Sequence, residues 1–305
     1  MRKVIGIGET IFDIIFKGNQ PTAANPGGSV FNGLVSLGRL GVPVLFVSEL
    51  GNDQVAGMIL AFMEENNIST EYIDRYDRKS PVSLAFLDAD NNAHYTFYKD
   101  YPEHRLDVSL PPIEKDDIFV FGSYYSLDEN LRPRIVEFVE YAKSKGAIIY
   151  YDPNFRKAHA HEAIKLRPTI LENLEYADIV RGSVEDFFNI FGEEDLDSLY
   201  KERIQYACRQ FIVTRGEQGV SLFTPNGEGH FSALEIAVKS TIGAGDNFNA
   251  GIIYGLLKYG IRKEDIPLLS VADWEKVIRH GMILASEVCG SFDNYISREF
   301  AASIE

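Results

Sequence analysis

The stretch Lys239-Ser-Thr-Ile-Gly-Ala-Gly-Asp246-Asn-Phe-Asn-Ala-Gly-Ile-Ile-Tyr-Gly-Leu-Leu257 decides how the rest of the chain is read. Gly243, Ala244 and Gly245 open an apolar helical pattern that runs to about Lys258. With almost no side chains there, the first-turn N–H groups are open to close approach, and the helix dipole favours negative charge beside them. Asp246 falls in that first turn. A carboxylate next to an anion site can take a proton from a hydroxyl attacking a phosphoryl group, and the dipole is expected to keep it ionised. A tight turn with Asp246 as a plain helix cap fits the same residues.

Outside this stretch the chain alternates. The short apolar runs Val4–Ile7, Val44–Val47, Ile118–Phe121, Ala147–Tyr151, Asp178–Val180 and Phe211–Val213 are bounded by Gly, Pro or Asp, as buried parallel strands are. Between them lie helical patterns over Val30–Leu40, Val55–Asn66, Leu131–Lys145, Ile164–Leu174 and Leu196–Arg209. Alternating strand and helix predicts an α/β fold whose mostly parallel sheet is covered on both faces. Pro81–Leu87 and Ala93–Tyr98, joined by Asp88-Ala89-Asp90-Asn91-Asn92, read instead as an antiparallel hairpin, with Ile14–Phe16 as a strand beside it. A small β layer against a large body makes a cleft, where ligands are usually held.

Three further segments could face such a cleft. Asn25-Pro-Gly-Gly28-Ser-Val-Phe-Asn32 sets two glycines before a helix, with the Asn32 amide one turn in, suited to hydroxyl recognition. Thr214-Arg-Gly216-Glu-Gln-Gly219 links a strand to an apolar run and could present N–H groups to phosphate, although hairpins use glycine for turning more often. Asp152-Pro-Asn154-Phe-Arg156 sits at the carboxyl end of a strand, where parallel sheets carry functional loops. Arg156 could hold a phosphate or sugar oxygen, while Asp152 and Asn154 could simply shape an Asx turn.

Composition narrows the classes. The chain has 305 residues, 30 basic and 45 acidic, for a net charge of −15. That field and the lack of a basic stripe argue against a nucleic-acid partner. No run reaches the roughly 18 apolar residues of a membrane span, so no membrane partner is expected. Cys208 and Cys289 are far apart without ligand spacing, and the start MRKVIGIGE reads as a strand, so a reduced cytoplasmic location is expected. His159-Ala-His161 has no third histidine nearby and reads as a solvated pair. Gly6-Ile-Gly8 could open a dinucleotide-binding oxidoreductase, but position 11 is Ile, so the third glycine is missing. No GxxxxGK[ST] and no HRD/DFG set occurs.

Taken together and in order along the chain, these segments resemble the PfkB (ribokinase-like) family of carbohydrate kinases. The resemblance is carried by Gly8-Glu-x-x-x-Asp13, Gly27-Gly28-x-x-x-Asn32, Leu37-Gly-Arg-Leu-Gly41 with Gly51-x-Asp53, the DPNxR loop, TxGxxG, and above all Thr241-x-Gly-Ala-Gly-Asp246. Gly122-Ser123 and the strand Tyr95-Thr-Phe-Tyr98 look most like fructokinases. The resemblance implies a three-layer α/β/α fold in a single kinase domain over 1–305, with a small β lid formed by about 12–20 and 70–105. It also implies transfer of phosphate from ATP, with Mg²⁺, to a primary hydroxyl of a small sugar, fructose before ribose, 2-keto-3-deoxygluconate or a nucleoside. Asp246 is then the base, and the N–H groups of Gly243, Ala244 and Gly245 form the anion hole. Asp13, Gly28 and Asn32 bind the sugar, bordered by Phe97 and Arg156. Thr214, Gly216 and Gly219, with Ser183 and His280, face the ATP. A homodimer paired through the lids is implied as well.

Three departures from the family pattern stand out. Ser240 replaces the usual Asp at a position that commonly contributes to a monovalent-cation site, which weakens the case for K⁺. The family's NxxE becomes Ser183-Val-Glu185-Asp186, so Asp186, or Glu185 after a one-residue slip, is left to position Mg²⁺ through water. His280 stands where the family carries an Asn beside the adenine. These losses leave a non-catalytic sugar or nucleotide sensor on the same fold as the alternative reading.

Overall fold

A computed structural model describes residues 2–88 and 93–304. The chain opens with β1 (Val4–Ile7), then β2 (Ile11–Lys17) and β3 (Gln20–Gly27), α1 (Ser29–Arg39), β4 (Val44–Gly51) and α2 (Gln54–Glu65). Four strands follow, β5 (Ile68–Ser69), β6 (Ile73–Tyr76), β7 (Val82–Leu87) and β8 (Ala93–Tyr98). Next come β9 (Ile118–Gly122), α3 (Arg132–Ser144), β10 (Ile148–Asp152), α4 (Ala163–Tyr176), β11 (Ile179–Ser183), α5 (Val184–Phe191) and α6 (Leu196–Glu202). The last part holds β12 (Phe211–Thr214), β13 (Val220–Thr224), β14 (Gly227–Phe231), α7 (Ala244–Lys258), α8 (Val271–Cys289) and α9 (Arg298–Ser303).

Ten strands form one large sheet in the order β14-β13-β12-β11-β10-β9-β1-β4-β5, with β6 also on β4. All pairs are parallel except β12–β13 and β13–β14. Side chains alternate across it as strand geometry requires. Ile118, Val120, Ile148 and Tyr150 pack under α1, α2, α7 and α8, while Phe119, Phe121, Ile149 and Tyr151 pack against α3, α4, α5 and α6. This is the three-layer α/β/α arrangement, with the core split into two apolar layers by the sheet.

The second sheet has the order β3-β2-β7-β8, with β2–β7 parallel and the outer pairs antiparallel. Its limits differ from the expected 12–20 and 70–105. Gln20–Gly27 is a full edge strand, although Pro21, Pro26 and the alanines are poor strand formers; proline is tolerated at an edge, where its missing N–H faces no partner. Residues 73–76 belong to the large sheet instead, because β6 pairs with Ser48–Gly51 and buries Ile73 and Tyr76. Of the expected hairpin turn, residues 89–92 lie outside the described residues. The sheet is rooted in the body through Glu9, between β1 and β2, whose carboxylate accepts from Lys99 Nζ (2.7 Å) and from the Tyr101 hydroxyl beyond β8.

The expected helix Leu196–Arg209 stops at Glu202 and gives way to a 3₁₀ turn over Ile204–Tyr206. Helix α8, which the sequence reading did not mark, buries Trp274 and crosses α7 at backbone contact. A Cβ at Gly251 would overlap the His280 carbonyl oxygen. Gly251→Ala should therefore cost about 2–3 kcal/mol through overpacking, read as a lower urea midpoint at unchanged slope. Unaltered stability would mean that the two helices can part without loss.

Candidate active site

The first turns of α1 and α7 meet at the carboxyl edge of the sheet. A Cβ on Gly33 would come within 2.9 Å of the Asp246 carbonyl oxygen, so the two helices touch there. Gly243, the N-cap of α7, has φ 77°, and a Cβ on it would be 2.6 Å from the Asn294 carbonyl oxygen. Only glycine meets both demands, which explains the turn's composition. Of the three anion-hole amides named from the sequence, Ala244 N–H turns back to the Thr241 carbonyl (3.3 Å). Those of Gly243 and Gly245, and that of Asp246, have no acceptor among the described residues.

Asp246 is 5% exposed. Its Oδ2 accepts from Asn32 Nδ2 at 2.8 Å and its Oδ1 from Asn154 Nδ2 at 3.5 Å. Burial pushes its carboxyl up to about 6, against the opposing pull of the Asn32 hydrogen bond and the Arg156 and Arg181 charges. With a value near 6, Asp246 remains mostly ionised at neutrality as expected, but desolvation makes it a stronger base than the dipole alone would suggest. Asn32 Oδ1 is itself buried with no partner among the described residues. Beneath lies a second buried carboxylate, Asp152, whose Oδ2 accepts from Arg181 Nη1 (2.8 Å) and Asn249 Nδ2 (2.6 Å). Its Oδ1 accepts from Asn154 N–H (2.9 Å), the Asx turn that aims Asn154 at Asp246.

The small sheet carries Asp13, Ser83 and Phe97 in one register row, hence on one face. Ser83 donates its hydroxyl to Asp13 Oδ1, and burial pushes the Asp13 carboxyl up to about 6. Gly28, at φ 147°, lies so close to the Glu9 carbonyl that any Cβ would overlap it. Phe97 is 54% exposed and stacks on Tyr95 at 5.8 Å. The Tyr95 hydroxyl feels both Asp13 and Arg156, and Arg156 is felt by Asp246, so this face of the sheet looks toward the α7 terminus.

On the other side of that terminus a cavity of about 520 Å³ opens. Gly245, Thr214, Gly216 and Gly219 line it together with Arg181, while Ile236, Val238, Met282 and Ala285 supply an apolar wall. The glycine turn is a 3₁₀ turn between antiparallel strands, so its hairpin role and its place on the cavity coexist. Three expectations fail here. Ser183, expected to face the ATP, is not among the residues lining the cavity and caps α5 instead. His280 does not line the cavity: its ring packs against Tyr254 and Tyr259 on another face of α8, which presents Met282, Ala285, Ser286 and Cys289 to the cavity. Glu185 is exposed to solvent, so the one-residue slip is not what the fold uses. Asp186 is the buried acid, and with Ser183 it forms a capping box at the start of α5: Ser183 Oγ accepts from Asp186 N–H (3.1 Å), and Asp186 Oδ2 accepts from Ser183 N–H (2.7 Å). Burial and the nearby Asp152 raise the Asp186 carboxyl.

Sequence reasoning missed Arg181, Ser83, Asn249 and Asn294. The available signal for Arg181 was a cation inside the otherwise apolar strand Ile179–Val180, which a buried strand admits only with a partner.

Residues 1–299 match the description of the pfkB family carbohydrate kinases. Among curated proteins the chain is 29% identical to the probable fructokinase-6, chloroplastic, of Arabidopsis thaliana, over 87% of this chain and 68% of that protein. It is 26% identical to fructokinase-1 of Zea mays, over 84% of this chain and 83% of that one. Among solved structures it superposes on a fructokinase from Vibrio cholerae O395 in its fructose-, ADP- and calcium-bound form, with TM-score 0.83 at 19% identity, covering 99% and 98% of the two chains. An aminoimidazole riboside kinase from Salmonella enterica, complexed with its riboside and an ATP analogue, gives TM-score 0.80 at 21% identity over 99% of both chains.

The raised Asp246 value has a thermodynamic consequence. The folded protein binds this proton more tightly than the unfolded chain, so the stabilisation is complete below about pH 4 and is lost as pH rises through about 6. Asp246→Asn removes that loss. The variant should overtake wild type across this window and be more stable at pH 7.5, by up to about 3 kcal/mol. Equal urea stabilities at pH 7.5 would mean that the carboxylate is hydrated.

Proposed function

The chain belongs to the pfkB family of carbohydrate kinases, and from that premise we propose that it moves the terminal phosphoryl group of ATP onto a primary hydroxyl of fructose. Membership makes it an ATP-dependent sugar kinase; the choice of fructose is supported by the fructokinases among its curated relatives. One observation carries the mechanism. A buried carboxylate, Asp246, stands between a polar sheet face and a nucleotide-sized cavity, beside free N–H groups of a helix start.

The sugar lies between Asp13, Gly28 and Asn32, bordered by Phe97 and Arg156. The unpartnered Asn32 Oδ1 and the acidic Asp13 both favour hydroxyl donors over an anionic sugar. A sugar oxygen attacks the γ-phosphorus, a new P–O bond forms, and the bond from phosphorus to the β,γ-bridging oxygen breaks. The hydroxyl proton passes to the Asp246 carboxylate, and ADP departs with the electrons of the broken bond. The Gly243 and Gly245 amides hold the charge on the transferring group, as preorganised donors do. Thr214, Gly216 and Gly219 face the other phosphates.

Among the described residues no three His, Cys, Asp or Glu cluster as a direct metal cage. Asp186 does not itself line the cavity, but this hard-oxygen acid stands near Arg181, which does, and so fits a Mg²⁺ ion held through water and by the phosphates. Bound there, the ion would neutralise charge on the phosphate oxygens. Ser240 Oγ is engaged by Ile242 N–H (3.2 Å), and we expect no K⁺ requirement.

We also propose that residues 1–305 work in the cytoplasm as one kinase domain, whose small sheet is both lid and homodimer contact. Its other face supports this with Phe86 and Tyr98, the latter 58% exposed. No helix among the described residues is long and apolar enough to cross a membrane.

ADP release assayed over fructose, ribose, 2-keto-3-deoxygluconate and nucleosides tests the substrate. Highest kcat/KM is expected on fructose, with K⁺ replaced by tetramethylammonium changing the rate less than about twofold; turnover confined to another member overturns the assignment. Asp246→Asn should lower kcat by about 10²–10⁴-fold with KM values nearly unchanged. Wild-type kcat/KM should fall below pH 6, by at least about tenfold per pH unit, as Asp246 and Asp13 become protonated. Asn32→Ala should raise the sugar KM about tenfold, the scale of one or two lost hydrogen bonds.

A further inference from the structure

Arg181 is 4% exposed, yet it belongs to the wall of the 520 Å³ cavity. Its guanidinium is fixed on two sides: Nη1 donates to Asp152 Oδ2 (2.8 Å) and Nη2 to Thr214 Oγ1 (2.6 Å). Its Cζ lies over the Phe248 ring at 5.2 Å. The third donor position, Nε, is buried with no partner among the described residues. A buried donor left unpaired demands an explanation, and in a functional cleft that explanation is often a ligand.

The location says which ligand. A Cβ added to Gly245 would meet Arg181 Nη1 at 2.9 Å, so the guanidinium lies directly against the helix start that offers free N–H groups. Among the described residues lining this cavity, Arg181 is the only cation, whereas Glu217 and Glu235 line it too, and Asp152 and Asp246 stand nearby. A nucleotide polyphosphate entering such surroundings meets carboxylate repulsion, which a cation beside the free N–H groups opposes. Guanidinium is the side chain best shaped to bridge several phosphate oxygens, and the Asp152 and Thr214 contacts hold its plane in place beforehand.

We propose that Arg181 is the side-chain cation that receives the β- and γ-phosphates of the nucleotide, held for that purpose by Asp152 and Thr214. The assignment rests on reading the cavity as the ATP site. It also gives Asp152 a role: a positioning residue that acts through Arg181, not on the nucleotide.

Calorimetric titration with ADP and with adenosine separates a phosphate contact from a general loss of structure. Arg181→Met should weaken ADP about 10- to 100-fold and leave adenosine within about twofold, with Arg181→Lys between wild type and Met. Since Arg181→Met strands Asp152 without its partner and could unfold the chain, the paired variant Arg181→Met/Asp152→Asn, which removes both charges, is titrated alongside and should show the same selective loss. Parallel weakening of ADP and adenosine would reduce Arg181 to a packing role and overturn the assignment, as would unaltered ADP affinity. Wild type that binds neither ligand overturns the cavity's identity as the ATP site, and the assignment with it.

Discussion

The hydrogen bond from Asn32 Nδ2 to Asp246 Oδ2 (2.8 Å) is the constraint on which the arrangement turns. It joins the first turns of two helices that arise 214 residues apart in the chain. Each of those turns begins with glycine because each must approach backbone at contact distance, Gly28 against Glu9 and Gly243 against Asn294. Once α1 and α7 are brought together in this way, their N-terminal N–H groups converge on the same space, and the sum of two helix-terminal fields favours anions there. The fully buried Asn247 completes the clamp: its Nδ2 donates to the Gly243 and Asn294 carbonyls, each at 2.8 Å, and its Oδ1 accepts from the Ser36 hydroxyl of α1. The segment after α8 is thereby locked onto both helices.

Such a centre is not built for stability. Asp152, Asp186 and Asp246 are all buried within one edge of the sheet, and Arg181 is the buried cation among them. Replacing a buried ion pair by apolar side chains of similar volume is often neutral or stabilising, so the Arg181–Asp152 pair (2.8 Å) argues for a task. Elsewhere the same fold uses buried charge structurally. Arg105 bridges Glu49 and Asp128 and lies over the Tyr101 ring at 3.7 Å, while Tyr101 in turn donates to Glu9 at the root of the small sheet. The root is therefore tied to the body by a relay of charged contacts, whereas the outer strand β8 exposes Tyr95, Phe97 and Tyr98.

How much of this could be read in advance follows from what kind of force decides each part. The central strands were legible because burial on both faces demands unbroken apolar runs such as Ile118–Phe121, and helices such as α3 because their apolar face repeats at helical period. Gly243–Asp246 and Gly28–Asn32 were legible because their close approaches admit few residues. Strand β3 was not, since Gln20–Gly27 earns its place by pairing with β2 and not by propensity. His280 misled for a related reason: a position along a helix does not reveal which face a neighbour will cover, and here α8 turns Met282 and Ala285 to the cavity and His280 to Tyr259. Arg181 stayed hidden because its meaning depends on Asp152 and Thr214, which come from two other strands.

The same competition of magnitudes explains the electrostatics of Asp246. A helix dipole acting on a first-turn carboxylate contributes about 0.3–1 kcal/mol, and at most about 2 kcal/mol when partly buried. Moving the carboxyl from 3.8 to about 6 corresponds to about 3 kcal/mol in the opposite sense. Burial therefore wins even with Asn32 donating to the charged form and Arg156 and Arg181 nearby. For a general base the outcome is favourable, because proton affinity rises toward the working pH while most molecules remain ionised at neutrality. A fully hydrated Asp at this position would be ionised at pH 7 but too weak a base to draw much of the proton from an attacking alcohol. The burial that shields Asp246 thus bears on the chemistry as directly as the carboxylate does.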